Sequence, residues 1–186
     1  SGSMDDNAST LVAATNDAIK TLLDTNRNNR VGVILYSASG STGTSSYSQS
    51  TTVILPLDRY TTGNDGRYLT LSGSTVSVSR NLRNSDNETV SASKNVTGGT
   101  YIQSGLYAAM LEFQKADTVV ESNNFQGGQD RLPILVLMSD GAPTTGNSNF
   151  TSVNSSNSNI SMSSMTIVSE PVSVGYTISK VFVSAI

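Results

Sequence analysis

Cysteine, histidine and tryptophan are missing from all 186 residues. Without cysteine there is no disulfide framework. Without histidine there is no imidazole to serve as a general base, and the usual nitrogen-and-sulfur sites for zinc or copper are excluded. A chain limited to oxygen donors can still hold a hard cation. Charge is scarce as well: Asp, Glu, Lys and Arg make up 13% of the chain, about half of the quarter usual in soluble domains. The net charge of −3 comes with no basic run, so nucleic-acid binding is disfavoured. No apolar stretch approaches the ~20 residues needed to cross a bilayer, and the N-terminus carries no signal-peptide pattern. Low charge with abundant Ser, Thr and Asn suits an extracellular or cell-surface protein. The absence of cysteine suits a bacterial surface better than an animal one.

The length has room for one domain of ordinary size. Leu11, Val12, Ala18, Ile19, Leu22 and Leu23 form a helical stripe over Thr10 to Asp24, with Asn7 or Ser9 as its cap and Asp5 and Asp6 suited to the positive end of its dipole. Val31 to Tyr36 reads as a strand buried on both faces. Thr52 to Leu57 reads as a second strand, placed at an edge by Pro56, and the two are expected to pair as a hairpin across the Ser/Gly/Thr loop of Ser37 to Gln49. Tyr68 to Leu71 and Thr75 to Val78 alternate around Ser72-Gly73-Ser74, which predicts a small hairpin, while Arg80 to Asn95 is polar and predicts a loop. Gly98-Gly99-Thr100 opens a helix carrying Ile102, Leu106, Ala109, Met110 and Phe113 on one face. Leu132 to Met138 is the strongest candidate for a buried strand, and it ends in Ser139-Asp140-Gly141-Ala142-Pro143. Gly146 to Ser164 is Ser/Asn-rich low complexity, expected to be an exposed or disordered insertion. Val174, Ile178, Val181, Phe182 and Ala185 have helical spacing and predict a last helix. This order of elements implies an α/β sheet with helices on both faces, in which ligands sit at the carboxyl ends of the strands.

Three segments lie where such a ligand would sit: Ser1-Gly2-Ser3-Met4, Gly98-Gly99-Thr100-Tyr101 and Met138-Ser139-Asp140-Gly141. Ser1, Ser3 and Thr100 offer hydroxyls and Asp140 a carboxylate, a set suited to Mg²⁺, Mn²⁺ or Ca²⁺. Each also has a plainer reading. Ser1-Gly2-Ser3 fits an expression scar, Thr100 a helix N-cap, Asp140-Gly141 a turn, and Asp5 and Asp6 helix-start charges. Tyr36 and Ser37 are candidates to line the site, although tyrosine in a buried strand is more often packing. The Asn-x-Ser/Thr triplets at Asn7, Asn87, Asn95, Asn149, Asn154 and Asn159 are expected by chance in so Ser/Thr/Asn-rich a chain.

Through these segments the chain resembles the von Willebrand factor A family. Ser1-Gly2-Ser3-Met4 looks like the end of the Asp-x-Ser-Gly-Ser-Met form of that family's metal-ion-dependent adhesion site. Arg30 to Ser37 resembles its second strand, Gly98 to Leu106 its threonine loop and following helix, and Ile134 to Thr144 its fourth strand with the aspartate. The resemblance implies a Rossmann-like, doubly wound, mainly parallel sheet over residues 1–186. In that reading the first, fifth and sixth strands are absent, and inserts fall at about 58–96 and 146–164. It also implies metal ligation by Ser1, Ser3 and Thr100, direct or through water, with Asp140 acting largely through water. The family's first aspartate would precede Ser1, which leaves the site incomplete in this chain.

The function expected from this reading is a binding module. A divalent cation, Mg²⁺ or else Mn²⁺ or Ca²⁺, would engage a carboxylate presented by a protein or extracellular-matrix ligand. Two other readings stand beside it: a structural pilus or cell-wall component making contact through its inserts, and a subunit of a cytoplasmic chelatase- or ATPase-type assembly. The chain has no P-loop and no nucleophile–base pair, so catalysis is not expected of it.

Overall fold

The computed structural model describes residues 6–37, 51–102, 104–106, 108–109, 111–113, 115 and 134–139, together with the backbone of residues 158–161, 166–169 and 180–185. The first element is a helix, α1, over Ala8–Thr25. Ala8, Val12, Ile19 and Leu23 are its buried residues, a spacing that lines up along one face. Asn7 occupies the N-cap position, but its side chain makes no capping bond. Ser9 lies inside the helix, so the expected cap is not formed by either residue. The other end is closed from a distance. The Arg59 guanidinium donates to the carbonyls of Leu23 (3.2 Å), Asn26 (2.9 Å) and Asn29 (3.2 Å). The Asn29 amide donates to the Leu22 carbonyl at 2.8 Å. These bonds satisfy carbonyls that a helix C-terminus leaves open, and the cation complements the negative end of the dipole.

Strands β1 (Val31–Tyr36) and β2 (Thr51–Asp58) pair antiparallel, as the hairpin reading expects, with Tyr36 opposite Thr51 and Val31 opposite Asp58. The ladder shifts register on either side of Val33. β1 is not buried on both faces: Val31 is buried, Gly32 is exposed, and the rest are half-buried. β3 (Leu69–Ser72) and β4 (Thr75–Val78) form the expected small hairpin, paired from Leu69↔Val78 to Ser72↔Thr75. Gly73, at φ 55°, takes the left-handed backbone that its turn requires.

β5 (Ser93–Asn95) adds a third strand to β4. The stretch read as polar loop is therefore partly strand, and it is held throughout. Arg83 bridges both Thr61 and Thr89, and Leu82 is fully buried. Asn84 accepts from the backbone N–H groups of Asp86 (3.1 Å) and Glu88 (2.7 Å). Asparagine side chains supply here the turn contacts that a composition-based reading takes for looseness.

One core joins these parts. Val12, Ile19 and Leu23 of α1 pack with Val31, Ile54 and Leu55 of the β1–β2 hairpin and with Tyr60, Tyr68, Leu69, Val76 and Leu82. Asn16 is the polar residue at the centre of this contact. Its carboxamide oxygen accepts from the N–H groups of Tyr68 and Leu69, both at 2.9 Å, and its nitrogen donates to the Leu69 carbonyl at 3.0 Å. A carboxamide offers donor and acceptor as a peptide unit does, so Asn16 covers the open edge of β3 where another strand would otherwise pair.

A second, smaller core lies around a second helix, α2, whose described helical residues are 102, 104–106, 108–109, 111–113 and 115. Ile102 and Leu106 pack with Leu137, and Tyr36, Leu111 and Leu135 lie against them. Leu135 and Leu137 belong to β6 (Ile134–Ser139). The sequence predicts a buried strand here, but its burial alternates: Ile134 is 47% and Val136 52% exposed. One face packs on α2 and the other faces solvent. β7 (Ser158–Ser161) and β8 (Thr166–Ser169) form an antiparallel pair whose first strand falls within the expected low-complexity insertion. β9 (Lys180–Ala185) runs parallel to β6 in unbroken register from Ile134↔Lys180 to Ser139↔Ala185. The last segment is thus a strand where a helix is predicted. Val181-Phe182-Val183 is a short β-branched and aromatic run, and periodicity alone does not separate strand from helix at that length.

The expected Rossmann-like, doubly wound parallel sheet, with its first, fifth and sixth strands absent, is corrected by this topology. The described strands make four small sheets, β1–β2, β3–β4–β5, β6–β9 and β7–β8, of which three are antiparallel and only β6–β9 is parallel. The physical reason is local pairing. β1 takes its hairpin neighbour on one edge and β6 takes β9, and no hydrogen-bonded ladder joins β1 to β6 among the described strands.

Asn16→Ala removes four hydrogen bonds at once, one of them to the Val12 carbonyl, and leaves the Tyr68 and Leu69 backbone groups uncovered. It is expected to lower unfolding stability by ~2–3 kcal/mol, measured by urea denaturation. Asn16→Asp, which keeps the acceptor and loses the donor, should fall between. A loss below ~0.5 kcal/mol for Asn16→Ala, the ordinary range of surface changes, would show that the β3 edge does not depend on this side chain.

Candidate functional site

The polar end of the molecule is set by how α2 lies along the β1–β2 hairpin. At one end, Gly105 faces the Tyr36 ring so closely that a β-carbon there would stand 2.7 Å from Cδ1 and 2.9 Å from Cγ. At the other, the Glu112 carboxylate accepts from the Leu57 N–H at 3.4 Å. Tyr36 is opposite Thr51 in the hairpin. Residue 105 therefore lies beside the start of β2 and residue 112 beside its far end, so α2 runs in the direction of β2. Thr100 and Tyr101, just before the helix, fall at the Thr51 end. The Tyr36 hydroxyl donates to the Met138 carbonyl at 2.9 Å, which brings the carboxyl end of β6, with Ser139, to the same place.

Four hydroxyl residues from four segments are thus gathered at one end: Ser37 after β1, Thr51 at the start of β2, Thr100 before α2 and Ser139 closing β6. Ser37, Thr51 and Thr100 are 6%, 8% and 4% exposed. Ser104 is fully buried and donates to the Tyr101 carbonyl at 2.8 Å, tightening the first turn of α2. Tyr101 is buried beside it, and burial pushes its phenol pKa up. Thr51 Oγ1 is buried with no hydrogen-bond partner among the described residues.

Among the described residues, the charged groups lie elsewhere. Glu112 is buried near the far end of β2 and pairs with Lys115 Nζ at 2.7 Å. Tyr60, whose hydroxyl donates to the Pro56 carbonyl, has its pKa raised first by burial and then by the Asp58 and Glu112 charges. Among the described residues, no three carboxylates come together as a metal-holding group. The donors available at the Thr100 end are neutral oxygens, which suit a hard cation only in company with a nearby carboxylate or with water.

Of the residues predicted from the sequence to hold a metal, Thr100 is placed in this cluster. Ser1, Ser3 and Asp140 lie outside the described residues. Asp140 follows Ser139 directly in the chain, and Ser139 is the last residue of β6. Ser37 and Tyr36, weighed from the sequence as possible lining, are both at this end. Thr51 was not legible as a site residue. Its only signal is the hairpin register that sets it opposite Tyr36, and directly opposed residues of an antiparallel pair project to the same face.

Compared with known proteins, the chain matches no family model, no characterised sequence and no solved structure.

The Tyr36–Gly105 contact is open to direct test. Gly105→Ala forces a methyl against the ring and is expected to cost ~1–3 kcal/mol, as overpacking does. Tyr36→Phe, which removes the bond to Met138, should cost about 0.5–1.5 kcal/mol. Because both changes act on one ring, their combination should depart from additivity by at least ~0.5 kcal/mol. Strict additivity in urea unfolding would mean the two contacts are independent.

Proposed function

We propose that this protein is a divalent-cation-dependent binding module of a bacterial cell surface or its surroundings. The cation, Mg²⁺ or else Mn²⁺ or Ca²⁺, bridges it to a carboxylate of a protein or matrix ligand. The observation that carries this reading is the placement of Thr100, buried at the end where β6 delivers Ser139 toward Asp140. Thr100 is one of four residues, with Ser1, Ser3 and Asp140, whose sequence motifs resemble a metal-ion-dependent adhesion site. The low charge and the absence of cysteine support the surface location.

The chemistry follows from the donor types. Hydroxyls of Ser1, Ser3 and Thr100 contribute no charge, and Asp140 contributes one carboxylate, largely through water. A divalent cation so held retains positive charge and an open position, and a partner's carboxylate supplies what is missing. Mg²⁺ dehydrates reluctantly and keeps several waters, which fits hydroxyl and water-mediated contacts better than a closed carboxylate cage. No helix among the described residues is long and apolar enough to cross a membrane.

Calorimetric titration of the full-length protein with Mg²⁺ and with Mn²⁺ tests the proposal. Binding is expected for both, and Asp140→Ala and Thr100→Val should each weaken it by about tenfold or more. Absence of binding, or binding indifferent to Asp140→Ala, would sink the reading.

A further inference from the structure

The hydroxyl of Thr51 is a buried polar group without a hydrogen bond among the described residues. The residue is 8% exposed, and Oγ1 has no hydrogen-bond partner among the described residues. Buried side-chain oxygens are ordinarily satisfied, because stripping water from a hydroxyl costs free energy that only a new hydrogen bond returns. A valine would fill the same volume without that cost. The hydroxyl therefore points to a polar ligand that is bound at this position.

Its surroundings say where that ligand lies. Thr51 is opposite Tyr36 across the hairpin, so both side chains project from the same face of the β1–β2 ladder. The Tyr36 ring on that face meets Gly105 of α2 and reaches the Met138 carbonyl. Thr51 accordingly faces α2 at the end where Thr100 enters the helix and β6 ends, with buried Ser37 next in the chain to Tyr36. Two observations of different kinds thus coincide: a helix start carrying a buried hydroxyl, and an unsatisfied hydroxyl on the strand face turned toward it.

Resting on the cation-binding reading above, we propose that Thr51 is a positioning residue of that same site, its Oγ1 accepting a hydrogen bond from a water held by the divalent cation. A cation polarises its bound waters into strong donors, and Mg²⁺ keeps several of them. A neutral hydroxyl acceptor orients such a water without adding charge, so the cation stays short of neutralisation and open to a partner's carboxylate. Thr51 would also extend the site to β2, a segment that contributes none of the four ligands inferred from the sequence.

The experiment compares wild-type, Thr51→Val and Thr51→Ser full-length protein in two measurements: Mg²⁺ and Mn²⁺ titration by calorimetry, and thermal unfolding in EDTA. Thr51→Val should weaken Mg²⁺ binding by about tenfold, while its unfolding temperature without cation stays level or rises because an unsatisfied buried hydroxyl has gone. Thr51→Ser, which restores the oxygen, should bind within about twofold of wild type, given that outer-shell losses run to tenfold or more. Unchanged affinity in Thr51→Val overturns the proposal. So does an equal loss in Thr51→Ser, or a fall in cation-free unfolding temperature that tracks the loss of affinity, which would mark an ordinary packing role. A wild-type protein that binds neither cation overturns the functional reading and this inference together. Binding that is sensitive to Asp140→Ala and indifferent to Thr51→Val removes Thr51 alone.

Discussion

Tyr36 is where the separate pieces of this molecule are joined. Its backbone closes the β1–β2 ladder opposite Thr51, its ring is the floor on which Gly105 of α2 rests, and its hydroxyl is bonded to the end of β6. β1 and β6 share no ladder among the described strands, so a side chain does what backbone pairing does in a continuous sheet. The consequence is geometric. A phenol ring has few rotamers and one donor, so fixing it at three points fixes the relative position of a hairpin, a helix and a strand. The hydroxyl cluster at that end inherits its arrangement from this one residue.

Much of the local structure can be read from residue pattern. The α1 stripe, the two strands of the first hairpin and the Leu69–Val78 hairpin around Gly73 follow from periods of 3.6 and 2 and from a turn glycine. What could not be read was of two kinds. The six-residue run at Lys180–Ala185 is too short for its spacing to exclude a helix, and only its pairing with β6 decides it. The stretch from Arg80 to Asn95 is polar, yet Leu82 is fully buried within it and Asn84 gives it turn contacts through its side chain. Polarity there includes side-chain bonding to the backbone as well as solvation. The larger error, a doubly wound parallel sheet, came from taking the order of elements as their arrangement. Among the described strands, β1–β2, β3–β4–β5 and β7–β8 pair antiparallel with sequence neighbours, and only β6–β9 is parallel.

The candidate site shows the same division. Thr100 was legible because it stands in a distinctive string before a helix. Thr51 was not, since a threonine in a Ser/Thr-rich run at the head of a strand has no local feature to separate it from its neighbours. Its meaning comes from register and burial, which are properties of the folded chain. The charged residues that draw attention in a sequence are here set apart from the cluster: Glu112 pairs with Lys115, and Lys20 with Asp24 on the exposed side of α1. The hydroxyls described at that end carry no charge, and composition is a poor guide to them.

Arg59 has a bearing on the order of events while the chain is being made. The helix end it closes at Asn26 lies 33 residues earlier. At synthesis rates of about 5–20 residues per second, α1 would wait roughly two to seven seconds for the Arg59 guanidinium, and longer before Asn16 meets Leu69. α1 is therefore made well before the residue that closes its end, and Val31, Ile54 and Leu55, which wall its apolar stripe, also follow it in the chain.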